Sequence, residues 1–188
     1  MSKALIISSS EEFRDSIAAA VKEYGFTQIS VSDGIEIRPL FDTETYDLVI
    51  LNTPLKNESA LELADFITQK TDSALIVTAS QKKCDDVYRR ISHTGAYVLP
   101  RPFTKNILIQ TIRFVITARS KMLDLESERR SLEIKLKDIK QINRAKCVLI
   151  QYLRISEADA HRQIQKRAMD QRISEVEVAR DILKTYET

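Results

Sequence analysis

The sequence predicts an α/β protein: a doubly wound, five-stranded parallel sheet, followed by a long coiled-coil helix and a small three-helix all-α domain. Three observations carry this. Short apolar runs alternate with helical stretches over residues 1–103, apolar residues recur in sevens across residues 104–142, and two Ser-x-x-acid signals punctuate the end of the chain. Strands buried on both faces read as near-continuous apolar runs, and their alternation with helices points to parallel pairing.

The elements follow in order. Residues 4–7 are a first strand, and residues 11–24 a helix with Phe13, Ile17, Ala20 and Val21 at helical spacing, ended by Gly25. Residues 29–31 are a second strand, and residues 35–41 a short helix broken by Pro39. Residues 47–51, Asp-Leu-Val-Ile-Leu, are a buried third strand. Helices over residues 60–68 and 84–91 alternate with strands over 74–78 and 96–99.

Composition bounds the class of protein. With 188 residues, 43% hydrophobic and 30% charged, the chain suits one ordinary domain plus a smaller one. No apolar run reaches membrane-spanning length and the start lacks a signal-peptide pattern, so a cytoplasmic protein with no membrane association is expected. Two cysteines, Cys84 and Cys147, and two histidines offer neither a disulfide framework nor a zinc site. Cys84 has no flanking catalytic histidine, and Cys147 beside Val148 reads as a small buried hydrophobe. With no paired carboxylates, nucleophile triad, phosphate loop or metal cluster, an enzyme is not expected, and no metal or cofactor is called for. The net charge of +2 is unevenly spread: residues 1–118 carry 13 Lys and Arg against 15 Asp and Glu, whereas residues 140–172 carry 8 against 3. A basic segment at one end suits a polyanion partner, or simply a solvated helical face.

Across residues 104–142, Val115, Met122, Arg129, Leu136 and Asn143 form one seven-residue series and Ala118, Leu125, Leu132 and Ile139 another, with no Gly or Pro between them. A strip of period 3.5 is best buried against a like helix, so a homodimeric coil is expected with Val115, Met122, Leu125, Leu132, Leu136 and Ile139 in its interface. Arg129 and Asn143 would set its register at some cost in stability. The alternative is a long helix packed on its own domain.

Residues 1–118 resemble the receiver domain of bacterial response regulators. The resemblance lies in the Ala4-Leu-Ile-Ile7 opening, the third strand, Thr78-Ala79 after strand four, Gly95-Ala96, and Arg101-Pro102-Phe103 leading into the next helix. It implies a flavodoxin-like (CheY-like) fold with strand order 2-1-3-4-5. It also implies a site needing an acceptor carboxylate after strand three, an acidic pair after strand one to hold Mg²⁺, a hydroxyl after strand four and a Lys after strand five. At those positions stand Asn52, Ser8 and Ser9, Thr78, and Arg101. An amide cannot form an acyl phosphate, so a pseudo-receiver is expected, unless Glu11, Glu12 or Asp42 substitutes for the missing acids.

Beyond Lys140 one helix continues with Ile142, Ala145, Val148, Leu149 and Tyr152 on one side. Ser156 and Asp159 open a second helix over Ala160, Ile164, Ala168 and Met169, and Ser174 and Glu177 open a third with Val176, Val178, Ala179, Ile182 and Leu183. Ala168 and Met169 are placed in the apolar core. Residues 134–185 resemble the ANTAR family of RNA-binding antitermination modules, through Ala145-Lys146, Leu149-Ile150, Ser156-Glu157, Ala160-His161, Arg167-Ala168-Met169, Val178-Ala179 and Ile182-Leu183. The domains expected are thus 1–118, the coil 104–142 and the RNA-binding unit 134–188.

The ANTAR resemblance implies that a dimer binds paired hairpin loops of nascent mRNA and prevents terminator formation. Arg144, Lys146, Gln151, His161, Arg167 and Arg172 are the candidate RNA contacts; Tyr152 and His161 offer flat surfaces to a base or pack within the bundle. Two rival readings are a phosphorylation-dependent two-component regulator that binds DNA, and a partner-docking scaffold. With phosphorylation lost, a sensor or sequestering protein on the receiver-like domain is a candidate source of control.

Overall fold

In a computed structural model, residues 2–31, 37–55 and 59–186 are described, and they divide between two compact units, Met1–Leu123 and Asp124–Thr188.

In the first unit five strands, β1 (Lys3–Ile7), β2 (Thr27–Val31), β3 (Leu48–Asn52), β4 (Ala74–Ser80) and β5 (Tyr97–Arg101), form one parallel sheet in the order β2-β1-β3-β4-β5. Alternate side chains go to opposite faces. Ala4, Ile6, Leu48, Ile50, Ala74, Ile76 and Leu99 pack under α1 (Glu11–Glu23) and the start of α5 (Lys105–Leu153). Leu5, Ile7, Val49, Leu51, Leu75 and Val77 pack under α2 (Ile37–Thr43), α3 (Ala60–Lys70) and α4 (Cys84–Ile91). Pro100 is tolerated because β5 is an edge strand, where a missing N–H breaks no ladder.

Local chemistry sets the ends of these elements. Ser10 caps α1 by accepting from the Phe13 N–H, and Ser59 caps α3 through the Glu62 N–H. Gly25, at φ 100°, makes the turn out of α1 that a side chain would strain.

Two expectations are corrected here. Pro39 does not break its helix: it sits in the first turn of α2, where no intrahelical N–H bond is required; Ile35 lies outside the described residues. Val115 is not free for a coil seam: it is 6% exposed and packs among Leu108, Ile112 and the sheet.

In the second unit, the last turns of α5 pack with α6 (Glu157–Gln171) and α7 (Glu175–Tyr186) around Ala145, Val148, Leu149, Ala160, Ile164, Ala168, Val178, Ala179 and Ile182. The Ser174–Glu177 capping box forms, with Glu177 taking the Ser174 N–H and hydroxyl and Ser174 Oγ accepting from the Glu177 N–H, while Ser156 Oγ caps α6 by accepting from the Asp159 N–H and donates to the Asp159 carboxylate. The stalk and the first bundle helix are one uninterrupted α5 of 49 residues. Met169 departs from its expected place in the core: it is 79% exposed, because the face that packs is the i, i+4 line of Ala160, Ile164 and Ala168. Cys147 is likewise exposed, one position short of the packed Val148.

Candidate functional site

The residues expected at the receiver-type site do converge at the C-terminal edge of the sheet, where ligands of open α/β folds bind. Ser8 follows β1, Asn52 ends β3, and Thr78 pairs with Asn52 in the β3–β4 ladder. All three are buried. The Asn52 amide donates to Ser8 Oγ at 2.9 Å, and Thr78 Oγ1 donates to Asn52 Oδ1 at 2.8 Å. Ser8 Oγ also accepts from the Ser10 N–H at 3.1 Å. The result is a closed, uncharged chain of hydrogen bonds across three strands.

Around this chain, Ser9 donates to the Pro54 carbonyl at 3.3 Å, Arg14 donates to the Ser8 carbonyl at 2.9 Å, and Arg101 donates to the Thr53 carbonyl while lying over the Phe13 ring at 5.9 Å. A hard divalent cation seeks charged oxygens. The donor set does not fit Mg²⁺: Ser8, Asn52 and Thr78 spend their polar atoms on one another, and the cations at this edge are arginines. Among the described residues no group of three or more His, Cys, Asp and Glu side chains is placed to hold a metal ion.

The second candidate surface is the basic three-helix unit. Lys146 is engaged within it: its ammonium meets Glu157 at 2.9 Å with the Lys side chain only 16% exposed, tying α5 to the first turn of α6. The hydrogen bond and charge of Lys146 hold the Glu157 carboxyl below its ordinary range, and the Ser174 N–H, then its hydroxyl, do the same for Glu177. Arg144, Gln151, His161, Arg167 and Arg172 are exposed. Arg144 and Gln151 lie on the outer face of α5. At 100° per residue, His161 falls on one flank of the α6 core line and Arg167 on the other, so a single flat surface does not collect them all. The Tyr152 ring, 57% exposed, rests against Tyr186 with centroids 5.1 Å apart. Sequence reading passed over Arg154, which ends α5 in a left-handed conformation at φ 53°.

Along the middle of α5, Met122, Leu125, Leu132, Leu136 and Ile139 are 48–63% exposed. No helix among the described residues is long and apolar enough to cross a membrane.

The sheet order and site position define the first unit as a receiver-type fold. Solved structures share it: the response regulator TrrA of Thermotoga maritima in complex with Mg²⁺ and BeF, 24% identical with a TM-score of 0.54 over 61% of this chain and 99% of that one, and NtrX of Brucella abortus, 17% identical with a TM-score of 0.61 over 68% and 29%. Residues 130–183 match the ANTAR domain. The chain thus carries this ANTAR-domain match after a unit of receiver-type fold. It is 27% identical over 187 residues to the transcriptional regulatory protein PdtaR of Mycobacterium tuberculosis, covering 99% of this chain and 91% of that protein.

Proposed function

We propose that this protein is an RNA-binding transcription antiterminator that works as a homodimer and whose receiver-like domain accepts no phosphoryl group. The observation that carries the reading is the ANTAR match at residues 130–183 on a helical unit whose basic residues outnumber its acids by 8 to 3 over residues 140–172. Loop bases of RNA hairpins are unstacked and readable on their edges, whereas the deep groove of A-form stems is closed to side chains. A unit with exposed arginines suits phosphates and base edges at such loops.

The exposed apolar series Met122, Leu125, Leu132, Leu136 and Ile139 supports pairing with a second copy, since a strip of heptad spacing is matched by its own kind. Two joined modules address two hairpins, and linkage raises the effective concentration of the second contact. The neutral Ser8–Asn52–Thr78 chain supports loss of phosphotransfer, which moves control to a partner protein on the receiver-like domain or to protein concentration through dimerisation.

The deciding experiment titrates the full chain into a two-hairpin RNA with short loops and into duplex DNA of equal length, across a salt series. The expected result is steeply salt-dependent binding that favours the RNA. Equal affinity for the DNA overturns the reading.

A further inference from the structure

The tetrapeptide Arg-Ile-Ser-Glu occurs twice in the ANTAR unit, at residues 154–157 and 172–175, and both copies fold into the same kind of corner. After α5, Arg154 adopts φ 53° and its N–H returns to the Ile150 carbonyl at 3.0 Å. After α6, Arg172 adopts φ 55°, its N–H reaches the Met169 carbonyl at 3.3 Å, and the Ile173 N–H reaches that of Ala168 at 3.1 Å. These are the bonds of the single left-handed cap and of the Schellman end, respectively. In each corner the isoleucine, Ile155 or Ile173, packs on the bundle core, and the serine then caps the next helix.

Glycine is the usual occupant of the left-handed slot, because any Cβ there crowds the neighbouring carbonyl. A basic side chain does favour a helix C-terminus, but it can act from the last helical turn with no left-handed backbone. Here arginine takes the strained position twice. Both residues are exposed, and among the described residues neither guanidinium has a hydrogen-bond or ion-pair partner. Most acids of the two corners are occupied: Glu157 by Lys146, Asp159 by Ser156, and Glu177 by Ser174, with Glu175 left over. Each corner therefore exposes one guanidinium that no carboxylate of the chain has taken. They stand at opposite ends of α6, a helix of 15 residues, hence about 22 Å apart along its axis.

Resting on the RNA-binding reading above, we propose that Arg154 and Arg172 are a matched pair of RNA-backbone anchors, each holding a different phosphate at one end of α6. A planar guanidinium fits phosphate oxygens with two parallel bonds. Sites this far apart act independently, so their contributions to affinity multiply.

The test uses the full chain with R154G, R172G and the double variant, since glycine accepts the same backbone and keeps both helix ends. Binding to a two-hairpin RNA with short loops is measured by fluorescence anisotropy from about 50 to 200 mM KCl, with thermal melts alongside. Each single substitution is expected to weaken binding about five- to tenfold and to lower the salt slope by about 1, with the double variant losing the product and the melting temperature unchanged or raised. R154K and R172K, which keep the charge, are expected to retain most of the affinity. A double glycine variant that binds with wild-type affinity and slope overturns the proposal and leaves the arginines as helix ends only, with RNA binding intact. Absence of salt-dependent binding by the wild type removes the RNA reading and this proposal together.

Discussion

The side-chain amide of Asn52 donates to the hydroxyl of Ser8 across 2.9 Å, bridging the ends of β3 and β1, while its oxygen is taken by Thr78 from β4. An amide serves here where a carboxylate does not, because only the amide both donates to Ser8 and accepts from Thr78 with no charge to solvate. The ends of β1, β3 and β4 are thereby joined by neutral side-chain bonds, with the Arg14 and Arg101 guanidiniums on backbone carbonyls around them.

Replacing Asn52 with Asp should therefore damage the domain without restoring phosphotransfer. The new carboxylate loses the bond to Ser8 and is buried without an acidic pair or Mg²⁺ beside it, a cost of about 1–3 kcal/mol. Burial raises the folded pKa of such a carboxyl, so the loss should grow as pH rises above the ordinary aspartate range. Denaturant melts at acidic and neutral pH read the first effect. Intact mass after incubation with acetyl phosphate and Mg²⁺ reads the second, for wild type and variant alike, and a stoichiometric adduct on the wild type contradicts the pseudo-receiver.

Acid should loosen the ANTAR unit through two carboxylates. Glu157 and Glu177 have folded pKa values depressed below the ordinary 4.5, by Lys146 and by Ser174 respectively. Their contribution is complete above the unfolded value and is lost as pH falls through the lower folded one. Far-UV circular dichroism melts from neutral pH downward should show little change from these groups until about pH 4.5, then a decline that E157Q and E177Q flatten.

Lys146 is predicted to act chiefly within the chain. With its ammonium on Glu157, K146M should keep the packing of the aliphatic stem, remove the acid-sensitive step at Glu157, and change RNA affinity less than R144E or R167E does. Anisotropy titrations of the three variants compare them directly. A larger loss for K146M than for either arginine variant returns Lys146 to the RNA surface.

Positions of the heptad pattern should behave in two ways. Val115 is buried in the receiver-like core, so V115A should destabilise that unit by about 1–3 kcal/mol and leave the solution mass alone. Leu132 and Leu136 are more than half exposed, so L132N with L136N should leave the secondary structure intact and shift the mass in a dilution series toward that of one chain. An unchanged dilution profile in the double variant places the dimer contact elsewhere, or shows that no dimer forms.

Much of this was written in the local pattern of residues. The five apolar runs, the serines at helix starts, the Ser174–Glu177 capping box and the missing acids at 8, 9 and 52 are each a matter of a few neighbouring residues, and backbone chemistry acts at that range. The repeated Arg-Ile-Ser-Glu was equally legible and marks both corners of the bundle, although nothing in the string says that its arginine turns left-handed.

What a side chain meets across the fold was decided by tertiary structure. Periodicity assigns a residue to a face of its helix but does not say what covers that face. Val115 and Leu132 share a heptad pattern, yet the sheet covers only Val115; Met169 and Ala168 are neighbours in one motif, yet only Ala168 points into the bundle. The Lys146–Glu157 pair and the closure of Ser8, Asn52 and Thr78 join residues 11 to 44 positions apart in the chain. Pairs so separated are brought together by burial of the cores beneath them, and that burial, unlike a cap or a turn, is a property of the whole packed domain.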